Sequence, residues 1–240
     1  MFEEEHIKES IDKIKNKNIN LSADIFKIHN NFSYKESLNY NLICLILFYN
    51  IADKDIYKYL KNLQDKTYLG YDTPYISLNN LKITTDKLVS LLDFDKIDRA
   101  FNLNNIKSIL EIVAGSGRVS EAILSIKNNI SYVISDIPPA IYVSFKRLKL
   151  AYPDKAIEYL VDIQNKDELN KKIKKNDISF IYPHQMELIS KDAFDLTIAI
   201  DCFHEMNKKT IADYFKNINN FSKNFYFSIW GNSKGNYTKT

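Results

Sequence analysis

Glycine, cysteine and long apolar runs are scarce in this sequence, and each scarcity excludes a class of protein. Only five glycines and two cysteines, Cys44 and Cys202, occur among 240 residues, and two cysteines are too few for a disulfide framework. The apolar run LICLILF at 42–48 is far shorter than the ~20 residues that span a membrane. The start MFEEEHIKES is acidic, where a secretory signal needs a basic start followed by an apolar core. We therefore predict a soluble, cytoplasmic protein.

An excess of charge of either sign is also missing. The chain has 33 basic and 30 acidic residues, a formal net charge of +3, which is too balanced for a dedicated nucleic-acid or membrane-surface protein. Hydrophobic residues make up 45% and charged residues 26%, which is ordinary for a globular domain. The composition predicts no nucleic-acid partner and no membrane insertion, and it leaves the oligomeric state open.

The first 100 residues carry apolar residues at helical spacing, with no strand pattern before residue 105. A strongly apolar helix is predicted over 36–50, and Asp53 is positioned to cap the segment that follows. Gly70 and Pro74 indicate a loop before a short helix near 86–92. The apolar stripes of this predicted all-helical region, 1–100, include Ile7, Ile11, Ile14, Ile25, Phe26, Ile56, Leu60 and Leu63.

Residues 101–240 have a different pattern. Five short runs rich in Ile, Val, Phe and Tyr are apolar on both faces, as buried parallel strands are. Most are separated by helix-length segments, one of which (165–177) is highly charged, so the fold class is α/β with a doubly wound, mostly parallel, Rossmann-like sheet. Ligands bind such sheets outside the carboxyl ends of the strands. The five runs are SILEIVA (108–114), SYVIS (131–135), ISFIY (178–182), FDLTIAI (194–200) and FYFSIW (225–230).

Two of the five glycines, Gly115 and Gly117, lie between the first predicted strand and a predicted helix. This arrangement allows a backbone to approach a ligand closely at a helix N-terminus. Glu111 lies inside the apolar strand, where a carboxylate requires a partner. Asp136 ends the next strand, where it can accept hydrogen bonds from both hydroxyls of a ribose. Ser120 occupies the third position of the G-x-G-x-x-G fingerprint, so the match to an NAD site is weak.

The pattern E-x-x-x-G-x-G resembles class I S-adenosylmethionine-dependent methyltransferases. Their usual motif is E-x-G-x-G-x-G, and Val113 replaces its first glycine. The segments SDIPPAIYVSFKRL (135–148), IYPHQMELI (181–189) and FDLTIAIDCFHEM (194–206) are similar to those of bacterial sugar O-methyltransferases, over about residues 105–230. Complete sheets of this family usually have two strands after the fifth, so the resemblance predicts a sheet shortened at its C-terminus.

The resemblance implies S-adenosylmethionine as the cofactor and a small-molecule acceptor, a sugar or nucleotide-sugar. In this interpretation Asp136 binds the ribose, Ser116 positions the cofactor carboxylate, Ile137 packs on the adenine and Gln185 bonds its edge, while His184 is an alternative acceptor contact. The implied cofactor-binding residues are Glu111, Ala114, Gly115, Ser116, Gly117, Asp136, Ile137, His184, Gln185 and Asp201.

Three polar residues at the carboxyl end of the fourth predicted strand are the catalytic candidates: Asp201, His204 and Glu205. A sugar hydroxyl benefits from a general base, and His204 has a suitable ordinary pKa near 6.5. Asp201 orients the cofactor or the base, or binds a divalent ion together with Glu205; a site made from these two alone lacks a third ligand, so no metal site is predicted. Tyr68, Tyr71 and Tyr75 are candidates to cover the acceptor.

Two other functions remain open at this point. A nicotinamide-dependent oxidoreductase shares the strand–glycine–helix arrangement. A methyltransferase-like domain without activity, serving as a binding subunit, is also compatible with Val113 and with a shortened sheet.

Overall fold

The computed structural model describes residues 34–52, 54–63, 75–78 and 81–229. The predicted helices before residue 34, the Asp53 cap, the Gly70 loop with Tyr68 and Tyr71, and the tail after residue 229 lie outside the described residues. The chain forms two compact units. The first comprises Met1–Asn102, Ser116–Asn128 and Tyr142–Pro153, and the second comprises Leu103–Gly115, Asn129–Ile141 and Asp154–Thr240.

The first unit is mainly helical. Its elements are α1 (Tyr34–Ile51), a 3₁₀ helix (Lys54–Lys61), β1 (Ile76–Leu78), β2 (Leu81–Ile83), α2 (Thr85–Phe101), α3 (Arg118–Ile126) and most of α4 (Ala140–Ala151). The stripe of Ile56, Leu60 and Leu63 is buried with Leu45 and Phe48 of α1 in one core. The antiparallel pair of β1 and β2 shows that the prediction of no strand before residue 105 was wrong, because three-residue strands are too short for a recognisable alternation.

Helix α2 is longer than the predicted helix at 86–92. The Thr84 side chain accepts a hydrogen bond from the backbone N–H of Lys87, and Asn102 ends the helix in a left-handed conformation. These are the usual N-terminal and C-terminal helix signals. Leu88, Leu91, Phe94 and Ile97 are buried at helical spacing, so packing extends the helix by two turns beyond the predicted end.

The second unit contains a six-stranded sheet in which every neighbouring pair is parallel. The strand order is β5-β6-β4-β3-β7-β8. The strands are β3 (Ser108–Ile112), β4 (Ser131–Ser135), β5 (Ile157–Tyr159), β6 (Ile178–Ile181), β7 (Leu196–Ile200) and β8 (Phe225–Ser228). Helices α5 (Lys166–Lys175) and α6 (Lys208–Phe221) and three short 3₁₀ helices, Leu103–Asn105, Pro183–Leu188 and Phe203–Glu205, connect them.

This strand order confirms the predicted α/β, doubly wound parallel fold. The chain starts at the centre with β3, moves outward through β4, and returns to the other side of β3 with β7 and β8. The order reverses between β3 and β7, and ligands bind at such switch points. All five predicted strands are present, and β5 was missed because it is a three-residue edge strand whose residues are only half-buried.

The sheet has a large apolar core on the face that carries Leu110, Ile112 and Val133. Side chains of α5 and α6 complete this core, including Leu169, Ile218 and Phe221. Because side chains alternate along a strand, Glu111 lies on the opposite face. Within the described ranges, none of the helices has the length and apolar character that crossing a membrane requires.

Candidate active site

The carboxyl ends of β3 and β7 both turn sharply at the switch point. Val113 (φ 55°), Gly115 (φ 57°) and Asp201 (φ 53°) are left-handed, a conformation that favours glycine and is strained for a β-branched residue. Backbone hydrogen bonds hold these turns: Val113 N–H donates to Ser135 O at 2.7 Å, and Asp201 N–H donates to Ser228 O at 2.8 Å. Both chain ends therefore bend at the edge where a ligand is expected.

The Asp136 carboxylate fastens the glycine turn to the end of β4. Its Oδ2 accepts a hydrogen bond from Gly115 N–H at 2.8 Å, and its Oδ1 accepts one from Ile137 N–H at 2.7 Å. Asp136 is 1% exposed. Burial raises its pKa to about 6, with an added contribution from Glu205, although the two N–H groups act in the opposite direction. Among the described residues no lysine or arginine pairs with Asp136.

Four carboxylates lie near one buried thiol. Cys202 follows β7 and its Sγ contacts Ile112 O at 3.9 Å. Burial, together with the negative charges of Asp136, Glu205, Glu111 and Asp201, raises the pKa of Cys202 to about 12. The structure thus gathers acidic groups from β3, β4 and the segment after β7 into one negatively charged region.

Glu111 and Tyr132 form a buried pair on the sheet. Tyr132 OH donates to Glu111 Oε2 at 2.9 Å, and the two side chains are 2% and 0% exposed. Burial and the Glu111 charge raise the pKa of Tyr132 well above its ordinary value. The sequence analysis expected a partner for Glu111 without identifying it, although Tyr132 stands in the next predicted strand.

His204 and Glu205 lie in the 3₁₀ helix after β7. His204 Nε2 is 3.8 Å from Glu205 Oε1, and His204 Nδ1 is buried with no hydrogen-bond partner among the described residues. The Glu205 side chain is 70% exposed whereas that of His204 is 21% exposed. The structure therefore places the His204 imidazole, which can act as a base, beside the exposed Glu205 carboxylate and next to the acidic region.

The Pro-His-Gln segment follows β6 and has a clear structural role at Gln185. Gln185 Nε2 donates to Leu160 O at 2.9 Å and to Ile163 O at 2.7 Å, and its Oε1 accepts from Tyr182 N–H at 2.8 Å. A bond to an adenine edge would have to replace or share one of these bonds. His184 is exposed beside the Tyr182 ring, with the ring centroids 5.9 Å apart.

Ile137 is 60% exposed directly after Asp136, which leaves its side chain available to a planar ligand. Tyr75, the one described member of the predicted tyrosine cluster, is 41% exposed, and Lys82 Nζ lies 4.9 Å from the centre of its ring. This cation–π contact stabilises the β1–β2 pair and is independent of any ligand.

Ser116 and Gly117 belong to the first unit. Ser116 Oγ accepts from Arg147 Nη1 at 3.3 Å, and Arg147 Nε also pairs with Glu121 Oε2 at 2.6 Å. Arg118 Nη1 donates to Oδ2 of the buried Asp93 at 2.7 Å. No motif in the sequence indicated the Arg147–Glu121 pair.

The second unit brings together Glu111, Gly115, Asp136, Asp201 and Glu205 near Cys202. Sequence reasoning missed Tyr132, Cys202 and Tyr214 as members of this region. Burial, Asp136 and Cys202 raise the pKa of Tyr214 to about 12. In the part of the chain that the structure describes, no group of three histidines, cysteines or carboxylates has a geometry that could hold a metal ion.

No protein-family model matches the chain, and no curated protein matches it. Among solved structures, the chain is similar to PigF with SAH (15% identity, TM-score 0.36, 54% of this chain and 38% of that chain). The chain is also similar to human N-acetylserotonin methyltransferase in complex with SAM (15% identity, TM-score 0.35, 55% of this chain and 31% of that chain). A third similar structure is that of the pyocyanin biosynthetic protein PhzM (16% identity, TM-score 0.35, 74% of this chain and 45% of that chain). The chain spans less than half the length of these three proteins.

Proposed function

We propose that this chain binds S-adenosylmethionine at the carboxyl ends of β3, β4 and β7 and transfers its methyl group to a hydroxyl of a small molecule. The observation that carries the proposal is the buried Asp136 carboxylate at the glycine turn, with which no described lysine or arginine pairs, within a region shared with Glu111, Asp201 and Glu205. A ligand that carries positive charge fits this region.

The charge of the region discriminates between the two cofactors left open by the sequence. S-adenosylmethionine carries a sulfonium and an ammonium group, and one unit-charge contact at 4 Å contributes about 4 kcal/mol at the effective dielectric of a protein surface. The pyrophosphate of a nicotinamide cofactor is anionic and would be repelled by the same carboxylates. The region therefore favours the sulfonium cofactor.

The residues of the second unit suggest specific roles in cofactor binding. Asp136 uses one lone pair of each oxygen for Gly115 and Ile137, so each oxygen keeps a lone pair for a ribose hydroxyl. Ile137 is exposed for packing on the adenine. The remaining predicted contacts, Ala114, Ser116, Gly117, His184, Gln185 and Asp201, are retained as part of the proposal.

The proposed chemistry is an in-line displacement on the methyl carbon. The acceptor oxygen forms a bond to that carbon as the carbon–sulfur bond breaks, and the sulfur leaves as a neutral thioether. His204 is the proposed base that takes the hydroxyl proton, a contribution of typically ~10²–10⁴-fold, and Glu205, 3.8 Å from its Nε2, stabilises the imidazolium that forms. The sugar or nucleotide-sugar class of acceptor is proposed from the DIPPA and PHQ segments.

Calorimetric titration tests the binding step. The full chain should bind S-adenosylmethionine and S-adenosylhomocysteine, and NADH should give no heat. Asp136→Ala and Asp136→Asn should weaken S-adenosylmethionine binding by about 1–3 kcal/mol, the cost of one hydrogen bond to a charged group. No detectable binding to the wild-type chain would exclude the proposal.

Asp195→Ala is a matched control for the Asp136 variants. Asp195 is a carboxylate of the same unit that also accepts backbone N–H groups, from Lys107 and Ser108, but it precedes β7 and so lies at the amino end of that strand. Its replacement should leave S-adenosylmethionine affinity unchanged. If Asp136→Ala and Asp195→Ala lose the same amount of S-adenosylmethionine affinity, the Asp136 effect comes from reduced stability of the fold and not from a lost contact to the cofactor.

Turnover with candidate sugars separates an active enzyme from an inactive binding subunit. His204→Gln should retain cofactor affinity and lose about 10²-fold or more of kcat. A wild-type chain that binds the cofactor but methylates no hydroxyl compound would favour the binding subunit.

A further inference from the structure

Helix α1 of the first unit exposes a broad apolar surface. Seven large side chains of this helix are each between 44% and 67% exposed, Tyr40 and six from Leu42 onward, whereas Leu45 and Phe48 on its other side are buried in the core of the unit. We define the six as the α1 face: Leu42, Ile43, Ile46, Leu47, Tyr49 and Ile51. At a spacing of 100° per residue they occupy about half of the helix circumference, so the helix is apolar nearly all round.

The size of the α1 face is that of an interaction surface. Six large apolar residues that are about half exposed offer on the order of 500 Å², comparable with the largest patch on a typical monomer, which is often functional. If two such faces pair, the total is on the order of 1,000 Å², the lower limit for a biological interface. A single α1 face therefore suffices for a weak but specific homodimer.

The charge pattern selects the kind of partner. No charged residue occurs from Ser37 to Ala52, so the α1 face offers nothing to recognise an acidic or basic partner. A helix that binds a membrane surface carries lysine or arginine along its polar side, and in this helix the single lysine, Lys35, lies in the first turn, outside the uncharged stretch. The surface that complements the α1 face is therefore another uncharged, apolar surface, such as the α1 face of a second copy.

We propose that the α1 face is the contact between two copies of this chain. In a two-fold symmetric contact the same patch is used by both copies, and the absence of charge means that no like charges oppose each other there. The helix of 18 residues is about 27 Å long. Ile43 lies near its middle, so in an antiparallel pair it approaches its own counterpart. This proposal is independent of the methyltransferase activity proposed above.

Sedimentation analysis of the full chain tests the dimer. At about 10 μM the wild-type chain should sediment as a dimer, and Ile43→Glu/Leu47→Glu should sediment as a monomer with its dimer Kd weakened at least ~100-fold. Ile43 and Leu47 are both more than half exposed, so far-UV circular dichroism and the thermal midpoint should stay close to those of the wild type. Leu150→Glu, at a residue of α4 that is 49% exposed, is the matched control and should remain dimeric.

Three results would overturn the proposal. One is a wild-type chain that remains monomeric at about 100 μM. Another is an Ile43→Glu/Leu47→Glu variant that dimerises as tightly as the wild type. The third is a wild-type monomer that co-sediments with neutral phosphatidylcholine vesicles, which would assign the α1 face to a lipid surface instead.

Discussion

Val113 is the residue at which this chain departs from the glycine-rich pattern that it resembles, and the structure shows the consequence. Its φ of 55° is left-handed, which costs roughly 1–2 kcal/mol for a residue with a Cβ atom. The conformation is held by the hydrogen bond from Val113 N–H to Ser135 O. The backbone therefore keeps the glycine conformation although the glycine is absent.

Substitutions at Val113 should reverse the usual order of alanine and glycine. Val113→Gly should be more stable than Val113→Ala by about 1 kcal/mol, because only glycine adopts a positive φ without steric cost. At the fully buried Val133 in β4, the alanine variant should be the more stable one. Urea denaturation of the four variants measures both differences in the free energy of unfolding. If alanine is the more stable variant at both positions, Val113 is not strained by its positive φ.

Asp136 makes the stability of the protein depend on pH. Burial and Glu205 raise its pKa from 3.8 to about 6, so the folded state binds the proton more tightly than the unfolded state does. The contribution of this group to the free energy of unfolding is fully present below pH 3.8 and is lost as pH rises through 6. The shift corresponds to roughly 3 kcal/mol.

Asp136→Asn should remove this dependence. From pH 4 to pH 7 the free energy of unfolding of the variant should rise relative to the wild type by up to roughly 3 kcal/mol, measured by urea denaturation at each pH. Asp195→Asn should run parallel to the wild type from pH 4 to pH 7 and differ in slope only below about pH 4, because hydrogen bonds from Lys223 and the Lys107 backbone outweigh burial and lower the pKa of Asp195 from 3.8. Parallel curves for wild type and Asp136→Asn would contradict the assignment.

At the scale of elements, glycine is required at the two positions after β3 for different structural reasons. A Cβ atom on Gly115 (φ 57°) would meet no atom within 4 Å, whereas on Gly117 (φ 75°) it would lie 3.0 Å from Ser144 Cβ. Gly117 thus allows the start of α3 to pack closely against α4, whereas no protein atom crowds Gly115, whose positive φ serves the turn. Sequence reasoning assigned both to ligand approach, since close helix packing is not visible in a sequence.

Gly117→Ala should therefore destabilise the chain more than Gly115→Ala. We expect about 1 kcal/mol for Gly115→Ala, from its positive φ, and about 2–3 kcal/mol for Gly117→Ala, where overpacking is added. Ser144→Gly should recover part of the Gly117→Ala loss because it removes the Cβ atom in contact. Thermal denaturation of the three variants measures the effect, and equal losses at the two glycines would contradict it.

The elements that the sequence predicted correctly are those with a strong local pattern. Strands β3, β4, β6, β7 and β8 are continuous apolar runs, and α1 is an unbroken apolar helix. The β1–β2 pair and β5 were missed because strands of three residues are stabilised by their neighbours in the sheet and not by a periodicity of their own. Helix α2 continued past Leu92 for the same reason: packing, not propensity, sets its end.

At the scale of the whole molecule, a chain with a net charge of only +3 concentrates four carboxylates around Cys202. Such a concentration is unfavourable in the absence of a cation. The ligand that we propose supplies this cation, so its binding should be coupled to the ionisation of Asp136.

Stabilisation by S-adenosylmethionine should consequently increase with pH. Ligand at a concentration of about 100 times its Kd raises the free energy of unfolding by about 2.7 kcal/mol. Because the cofactor favours ionised Asp136, the rise in Tm should be larger at pH 7 than at pH 5 in the wild type and independent of pH in Asp136→Asn. Differential scanning fluorimetry measures both. A larger shift at pH 5 would contradict the charge assignment.

The sequence by itself determined the alternation of strands and helices, the parallel sheet, and the placement of a glycine turn and an acidic residue at the ends of its first two strands. Those features follow from local periodicity and from steric rules that act over a few residues. Only the tertiary structure decided that Asp136 fastens Gly115, that Tyr132 pairs with Glu111, and that Asp201 and Glu205 join them near Cys202. These contacts link residues that are far apart in the chain, and strand order and side-chain direction, which no local pattern encodes, bring them together.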